Sequence, residues 1–93
     1  MDAATRLQRS ASASYQEVAG EAIVIHLTTG VYYSLNEIGT AYWRLLDGSR
    51  TIGECAQAIA DVIVEDRPPQ EVIVADLLEI SQKLVQEKLA VVC

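Results

Sequence analysis

The sequence predicts an α+β domain in which a three-stranded antiparallel β-sheet is followed by three α-helices. Three observations carry that prediction. A β-branched run, Ala22-Ile23-Val24-Ile25-His26-Leu27-Thr28, meets a Thr29-Gly30 turn signal and returns as Val31-Tyr32-Tyr33-Ser34-Leu35. Helix-start chemistry then recurs at Asn36, at Thr51 with Glu54, and at Pro69. Between these starts the apolar residues repeat at helical spacing. Strands first and helices after place the helices on one side of a small sheet.

Taken in order, residues 1–14 read as a disordered tail, and residues 15–93 as one domain. Residues 15–19 suit a short edge strand that Gly20-Glu21 breaks. The central strand spans 22–28 and the third 31–35, with Gly30 free to take positive φ in the turn. A two-residue turn would set Leu27 opposite Tyr32, His26 opposite Tyr33 and Ile25 opposite Ser34; a bulge would shift that register. Asn36 caps the first helix, which runs to about Asp47 with Gly48 as its C′ residue. Its inward stripe is Ile38, Tyr42, Leu45 and Leu46, with Trp43 on the flank. The Thr51-x-x-Glu54 capping box starts the second helix at Ile52, with Cys55, Ala56, Ile59 and Ile63 along its stripe.

After the polar Glu65-Asp66-Arg67-Pro68-Pro69 connection, a third helix spans 69–88. Ile73, Leu77, Ile80 and Leu84 form its core stripe, and Val74, Leu78, Ser81 and Val85 a second line beside it. The second and third helices with their proline turn read as a winged helix-turn-helix, the hairpin being the wing.

Charge and residue usage narrow the function. In 93 residues there are 13 acidic against 7 basic side chains, a balance that disfavours nucleic acid and anionic membranes. The start of the third helix, where a DNA reader would meet phosphates, carries Asp66, Glu71 and Asp76 against Arg67 alone. No run reaches the roughly 18 apolar residues of a membrane span, and no secretory signal is expected. Cys55 and Cys93 make neither a disulfide framework nor a zinc pattern, which fits a reducing, cytoplasmic setting.

Catalysis finds no constellation here. His26 is the single histidine, expected on a half-exposed strand face, with no local carboxylate or thiol to work with. Cys55 falls on a buried stripe without a cue for thiolate formation. No metal cluster and no phosphate-cradling glycine loop is present, so no cofactor and no enzyme activity is expected. What remains is an apolar, tyrosine-bearing strand beside helices, an arrangement able to capture an extended peptide. One of Tyr32 and Tyr33 would line the groove, and the residues leave open which. The wide apolar arc of the third helix is either the second wall of that groove or a homodimer seam.

Tyr32-Tyr33-Ser34-Leu35-Asn36-Glu37-Ile38-Gly39, then Trp43-Arg44-Leu45-Leu46-Asp47-Gly48, then Thr51-Ile52-Gly53-Glu54, resembles the PqqD-like family. Asp76-Leu77-Leu78 and Leu84-Val85-Gln86-Glu87-Lys88-Leu89 are similar to it as well. The resemblance implies a peptide chaperone, or RiPP recognition element, with a winged helix-turn-helix fold. It implies binding of a precursor's leader peptide as a strand added to the third β-strand, beside the third helix. By that resemblance Val31, Tyr32, Tyr33, Ser34 and Leu35 form one wall. Val74, Leu77, Leu78 and Ser81 form the other, and Asp76, with Glu79 as a second candidate, pairs with a basic leader residue. The partners it implies are the precursor peptide and a separate leader peptidase or radical enzyme, with a lasso-peptide pathway as the favoured setting.

Overall fold

The computed structural model describes residues 1–62 and 68–93. Its elements run β1 (Arg6–Arg9), β2 (Ala13–Val18), β3 (Glu21–His26), β4 (Tyr32–Ser34), α1 (Glu37–Arg44), β5 (Asp47–Thr51), α2 (Ile52–Val62), α3 (Gln70–Gln86) and β6 (Ala90–Val92). The strands make two antiparallel sheets, ordered β2-β3-β4 and β5-β1-β6, where the sequence predicted one. The first sheet is the predicted one. The second gathers three distant stretches that each look too short or too polar to be a strand.

The largest correction lies at the N-terminus. Residues 1–14 are not a loose tail: β1 is the central strand of the second sheet, and its Leu7 is 1% exposed. The preceding residues close over the start of α2, where the Ile52 and Gly53 N–H groups donate to the Thr5 and Ala3 carbonyls, each at 2.9 Å. Two orphan donors of that helix are thus satisfied by backbone. The capping box adds the rest, with Glu54 N–H donating to Thr51 Oγ1 at 3.1 Å and Thr51 N–H to Glu54 Oε1 at 2.9 Å.

α1 stops at Arg44, three residues before the predicted end. The chain is needed elsewhere: Arg9 N–H donates to the Leu46 carbonyl at 3.1 Å and β5 begins at Asp47. Gly48 does take positive φ, at 82°, but inside β5. There Asp47 and Thr51 oppose Gln8 and Arg6, so β5 carries extra residues in a bulge that an L-residue would strain. α3 starts one residue after Pro69, which is its N-cap, and ends at Gln86. The predicted stripe residue Ile63 and the connection through Arg67 lie outside the described residues.

α1 packs on β3 of the first sheet, α2 and α3 pack on each other and on α1, and they reach β5 and β6 of the second sheet, around Tyr42, Trp43, Ile52, Ile73, Leu77 and Leu84, all 1% exposed or less. β3 alternates strictly: Ala22, Val24 and His26 are buried, while Glu21, Ile23 and Ile25 are exposed. The second line on α3 is used internally too, because Val74, Leu78 and Val85 are half-buried against the core.

Two turns are held open by residues that dislike the left-handed region. Ala19 (φ 54°) and Gly20 (φ 82°) form the two-residue β2–β3 turn. Lys88 (φ 59°) closes α3, with Leu89 N–H donating to the Leu84 carbonyl at 2.8 Å and Lys88 N–H to Val85 at 3.1 Å. That is a Schellman ending with lysine where glycine is favoured. Lys88→Gly and Ala19→Asn are each expected to stabilise the fold by about 1 kcal/mol, because they relieve a left-handed L-residue. Urea unfolding midpoints check this, and unchanged midpoints would contradict it.

Candidate peptide-binding edge

β4 is the last strand of its sheet, and the register decides what it offers. Ile25 lies opposite Tyr32, Val24 opposite Tyr33 and Ile23 opposite Ser34, two residues away from the predicted pairing. The cause is a longer turn. His26 N–H donates to the Val31 carbonyl at 2.8 Å and Gly30 N–H to the His26 carbonyl at 2.9 Å, closing a four-residue loop around Gly30 (φ 77°). A shift of two keeps every side chain on its predicted face. His26 itself is 8% exposed rather than half-exposed, and its Nδ1 accepts from the Thr28 and Thr29 N–H groups at 3.2 Å each. It caps the turn.

Backbone alternation then assigns the free groups. His26–Val31 and Ala22–Leu35 are hydrogen-bonding pairs, the latter with Leu35 N–H donating to the Ala22 carbonyl at 2.8 Å. Val31, Tyr33 and Leu35 therefore turn their N–H and C=O groups toward β3, and Tyr32 and Ser34 turn theirs away from the sheet. These two residues form the open edge. The Tyr32 side chain is 69% exposed on the outer face beside Ile25, whereas Tyr33 packs inward against the core.

A helix hydroxyl fixes the end of this edge. Ala22 N–H donates to Thr40 Oγ1 at 2.8 Å, and that hydroxyl donates to the Leu35 carbonyl at 3.4 Å. Thr40 is 1% exposed. Its hydroxyl stands between two backbone groups that would otherwise pair directly, and so splices α1 into the β3–β4 ladder. Asn36 begins that helix as predicted, its Oδ1 accepting from Gly39 N–H at 2.8 Å. A Cβ at Gly39 would fall 3.1 Å from Leu35 Cδ2 and 3.3 Å from Ile80 Cδ1, so α1, the end of β4 and α3 meet there.

That contact orients α3 relative to the edge. Ile80 is the residue brought to Leu35; Val74 and Leu78 lie about 120° and 160° round the helix from it. Leu35, Leu77 and Ser81 are 3%, 0% and 0% exposed. They are core residues, not lining ones as expected: Ser81 Oγ bonds the Tyr42 hydroxyl at 2.6 Å, and Leu77 lies in the central cluster. Asp76 and Glu79 are exposed on α3. Sequence reasoning placed Ile80 in the core stripe and passed over Thr40, whose role no local pattern announces.

The sheet has a second open edge, on β2, and it is guarded. By the same alternation its outward groups belong to Tyr15 and Glu17. Glu17 is salt-bridged to Arg44, whose guanidinium holds the carboxyl below the usual range. Tyr15 stands edge-on to Trp43 at 5.8 Å, with Arg9 6.0 Å from each ring. Charged and bulky side chains at a strand edge discourage pairing. β4 carries no charged side chain.

Burial pushes the Cys55 thiol up to about 11, and burial, partly opposed by the Ser81 bond, pushes Tyr42 up to about 12. Among the described residues no three His, Cys, Asp or Glu side chains gather as a metal site, and no helix is long and apolar enough to cross a membrane.

The family model described as coenzyme PQQ synthesis protein D (PqqD) matches residues 21–90. The chain belongs to the PqqD family. Among solved structures, this PqqD-family chain is similar to TbiB1 in complex with the TbiA(beta) leader peptide, at 24% identity and TM-score 0.74. The match covers 89% of this chain and 93% of that one, and shows a shared fold. No curated protein matches.

Two outcomes follow. Thr40→Val should destabilise by about 2–4 kcal/mol, because two buried backbone groups lose their partner, while Thr40→Ser should recover most of the loss. Chemical denaturation of the two variants checks this, and equal stabilities would contradict it. Stability should also fall in alkali. Folded-state values raised above 9.0 for Cys55 and 10.0 for Tyr42 mean full stability below pH 9, lost as pH rises through about 11 and 12. Cys55→Ala should flatten the part of that decline beginning near pH 9 in urea midpoints, and an unchanged slope would contradict the assignment.

Proposed function

We propose that this chain is a RiPP recognition element: it captures the leader of a ribosomally made precursor peptide as a strand added to β4. The observation that carries the reading is the open row of N–H and C=O groups on Tyr32 and Ser34, next to a guarded opposite edge. Membership of the PqqD family and the fold shared with a leader-bound protein support it. Main-chain pairing gives sequence-tolerant affinity, and side chains on alternate faces add selectivity. On the inner face Tyr33 and Ile80 meet alternate leader residues, with Asp76 the acidic group on the same flank of α3. On the outer face Tyr32 and Ile25 do so. In this reading the first sheet is the wing of a winged helix-turn-helix formed with α2 and α3.

The captured leader is then presented to a separate enzyme. A leader peptidase of a lasso-peptide pathway is the setting we favour, and a radical enzyme acting on the core peptide is the other. The chain itself supplies binding, in a cytoplasmic setting, and the chemistry happens on its partner.

The test is fluorescence polarisation with the labelled leader of the precursor encoded in the same gene cluster. Ser34→Pro removes one outward donor and should weaken binding about tenfold or more. Glu17→Pro makes the same change on the β2 edge and should leave affinity within about twofold. Equal losses in both variants, or none in either, would contradict strand addition at β4.

A further inference from the structure

The outer face of the first sheet ends in a cavity of about 370 Å³ lined by Glu21, Ala22, Ile23, Ser34, Leu35 and Asn36. It lies beside the open edge, since Ser34 is both a lining residue and one of the two outward-turned positions of β4. We infer that this cavity is a subsite for a single lysine or arginine side chain of the captured strand, with Glu21 as its counter-ion. The inference rests on the strand-addition reading and names one chemical group that the added strand must carry.

Three features support it. Glu21 is exposed and makes no salt bridge among the described residues, where the neighbouring Glu17 is held by Arg44. Ser34 stands between the open edge and β3, opposite Ile23, and its side chain is too small to fill the space. An incoming strand would run about two strand spacings, roughly 10 Å, from β3. A short side chain on that strand cannot span the gap to a β3 carboxylate. A lysine or arginine can, laying its aliphatic stem over Ser34 and Ile23 while the charged head reaches Glu21. The charge is complementary at larger scale as well: Glu37 follows in the first turn of α1, and the chain carries a net charge of −6.

The parity of the sheet makes the demand specific. Glu21, Ile23 and Ser34 all project to the outer face, opposite the core. The basic residue must therefore sit at a position of the added strand whose side chain also points outward. Its immediate neighbours in sequence point toward Tyr33 and Ile80. A single basic residue between two apolar ones is the pattern this geometry selects.

The probe is a random 12-residue peptide library displayed on mRNA and selected in parallel on wild type, Glu21→Gln and Glu21→Arg. Wild-type selection should enrich lysine or arginine at one fixed position between apolar residues, and Glu21→Arg should turn that position to aspartate or glutamate. The best wild-type peptide should bind Glu21→Gln about three- to tenfold more weakly, a difference lost when its basic residue is replaced by norleucine. Ser34→Leu keeps the backbone donor and fills the cavity, so it should remove the same preference. Amide shifts at Tyr32 and Ser34 separate the two levels. Selected peptides that shift those amides but show no basic preference dependent on Glu21 overturn the subsite alone. Selection yielding no peptide that shifts them overturns the strand-addition reading and the subsite with it.

Discussion

The Thr40 hydroxyl, standing in the ladder between Ala22 N–H and the Leu35 carbonyl, is the contact on which the site depends. A three-residue strand such as β4 has little to hold it in place. Its far end is set by the His26-capped turn, and its near end by a helix side chain that accepts from one strand and donates to the other. Because Thr40 is on α1, the same contact fixes the angle at which that helix leaves the sheet. It also seats Gly39 where Leu35 and Ile80 converge. The open groups of Tyr32 and Ser34 are thus presented in a preset geometry, and a peptide that binds them need not order the edge as well. Preorganisation of this kind lowers the entropic cost of binding a floppy partner.

The two sheets divide the work. β5-β1-β6 ties the beginning, middle and end of the chain together and covers the start of α2 with backbone. It is a structural clasp, and it frees the first sheet to leave an edge uncovered. That sheet has two edges treated in opposite ways. An ion pair and a cluster of Tyr15, Trp43 and Arg9 guard β2, while β4 presents Tyr32 and Ser34 with no charged side chain. Exposed edges are an aggregation hazard that proteins usually suppress. Leaving one open while blocking the other is therefore a sign of use.

Much of this was legible in the residues, and the boundary is physical. Local chemistry read correctly: the Asn36 cap, the Thr51/Glu54 box, positive φ at Gly30, and the burial of Tyr42 on α1, Cys55, Ala56 and Ile59 on α2, and Ile73, Leu77 and Leu84 on α3. Those signals act over a few residues, so a linear reading finds them. The second sheet was invisible because Arg6–Arg9 and Asp47–Thr51 are polar and lack β-branched runs; their pairing partners are tens of residues away. The register slipped because His26 stabilises a four-residue loop where Thr29-Gly30 alone argues for two. The faces of β3 could not be told apart, since Ile23 and Ile25 outside are as apolar as Ala22 and Val24 inside. At the candidate site the edge strand itself was found, and which of its residues face outward needed the ladder. Leu77 and Ser81 lie in the core and not on the expected wall, because periodicity gives a helix face but not what it meets.

The central claim is that an extended peptide completes the hydrogen bonding of Tyr32 and Ser34. Scalar couplings transmitted through hydrogen bonds test it most directly, using ¹⁵N-labelled protein and a ¹³C-carbonyl-labelled leader. The account predicts couplings from the Tyr32 and Ser34 amide nitrogens to peptide carbonyls, and none from Tyr15 or Glu17. A bound leader whose couplings appear on the β2 edge, or on neither edge, would contradict it.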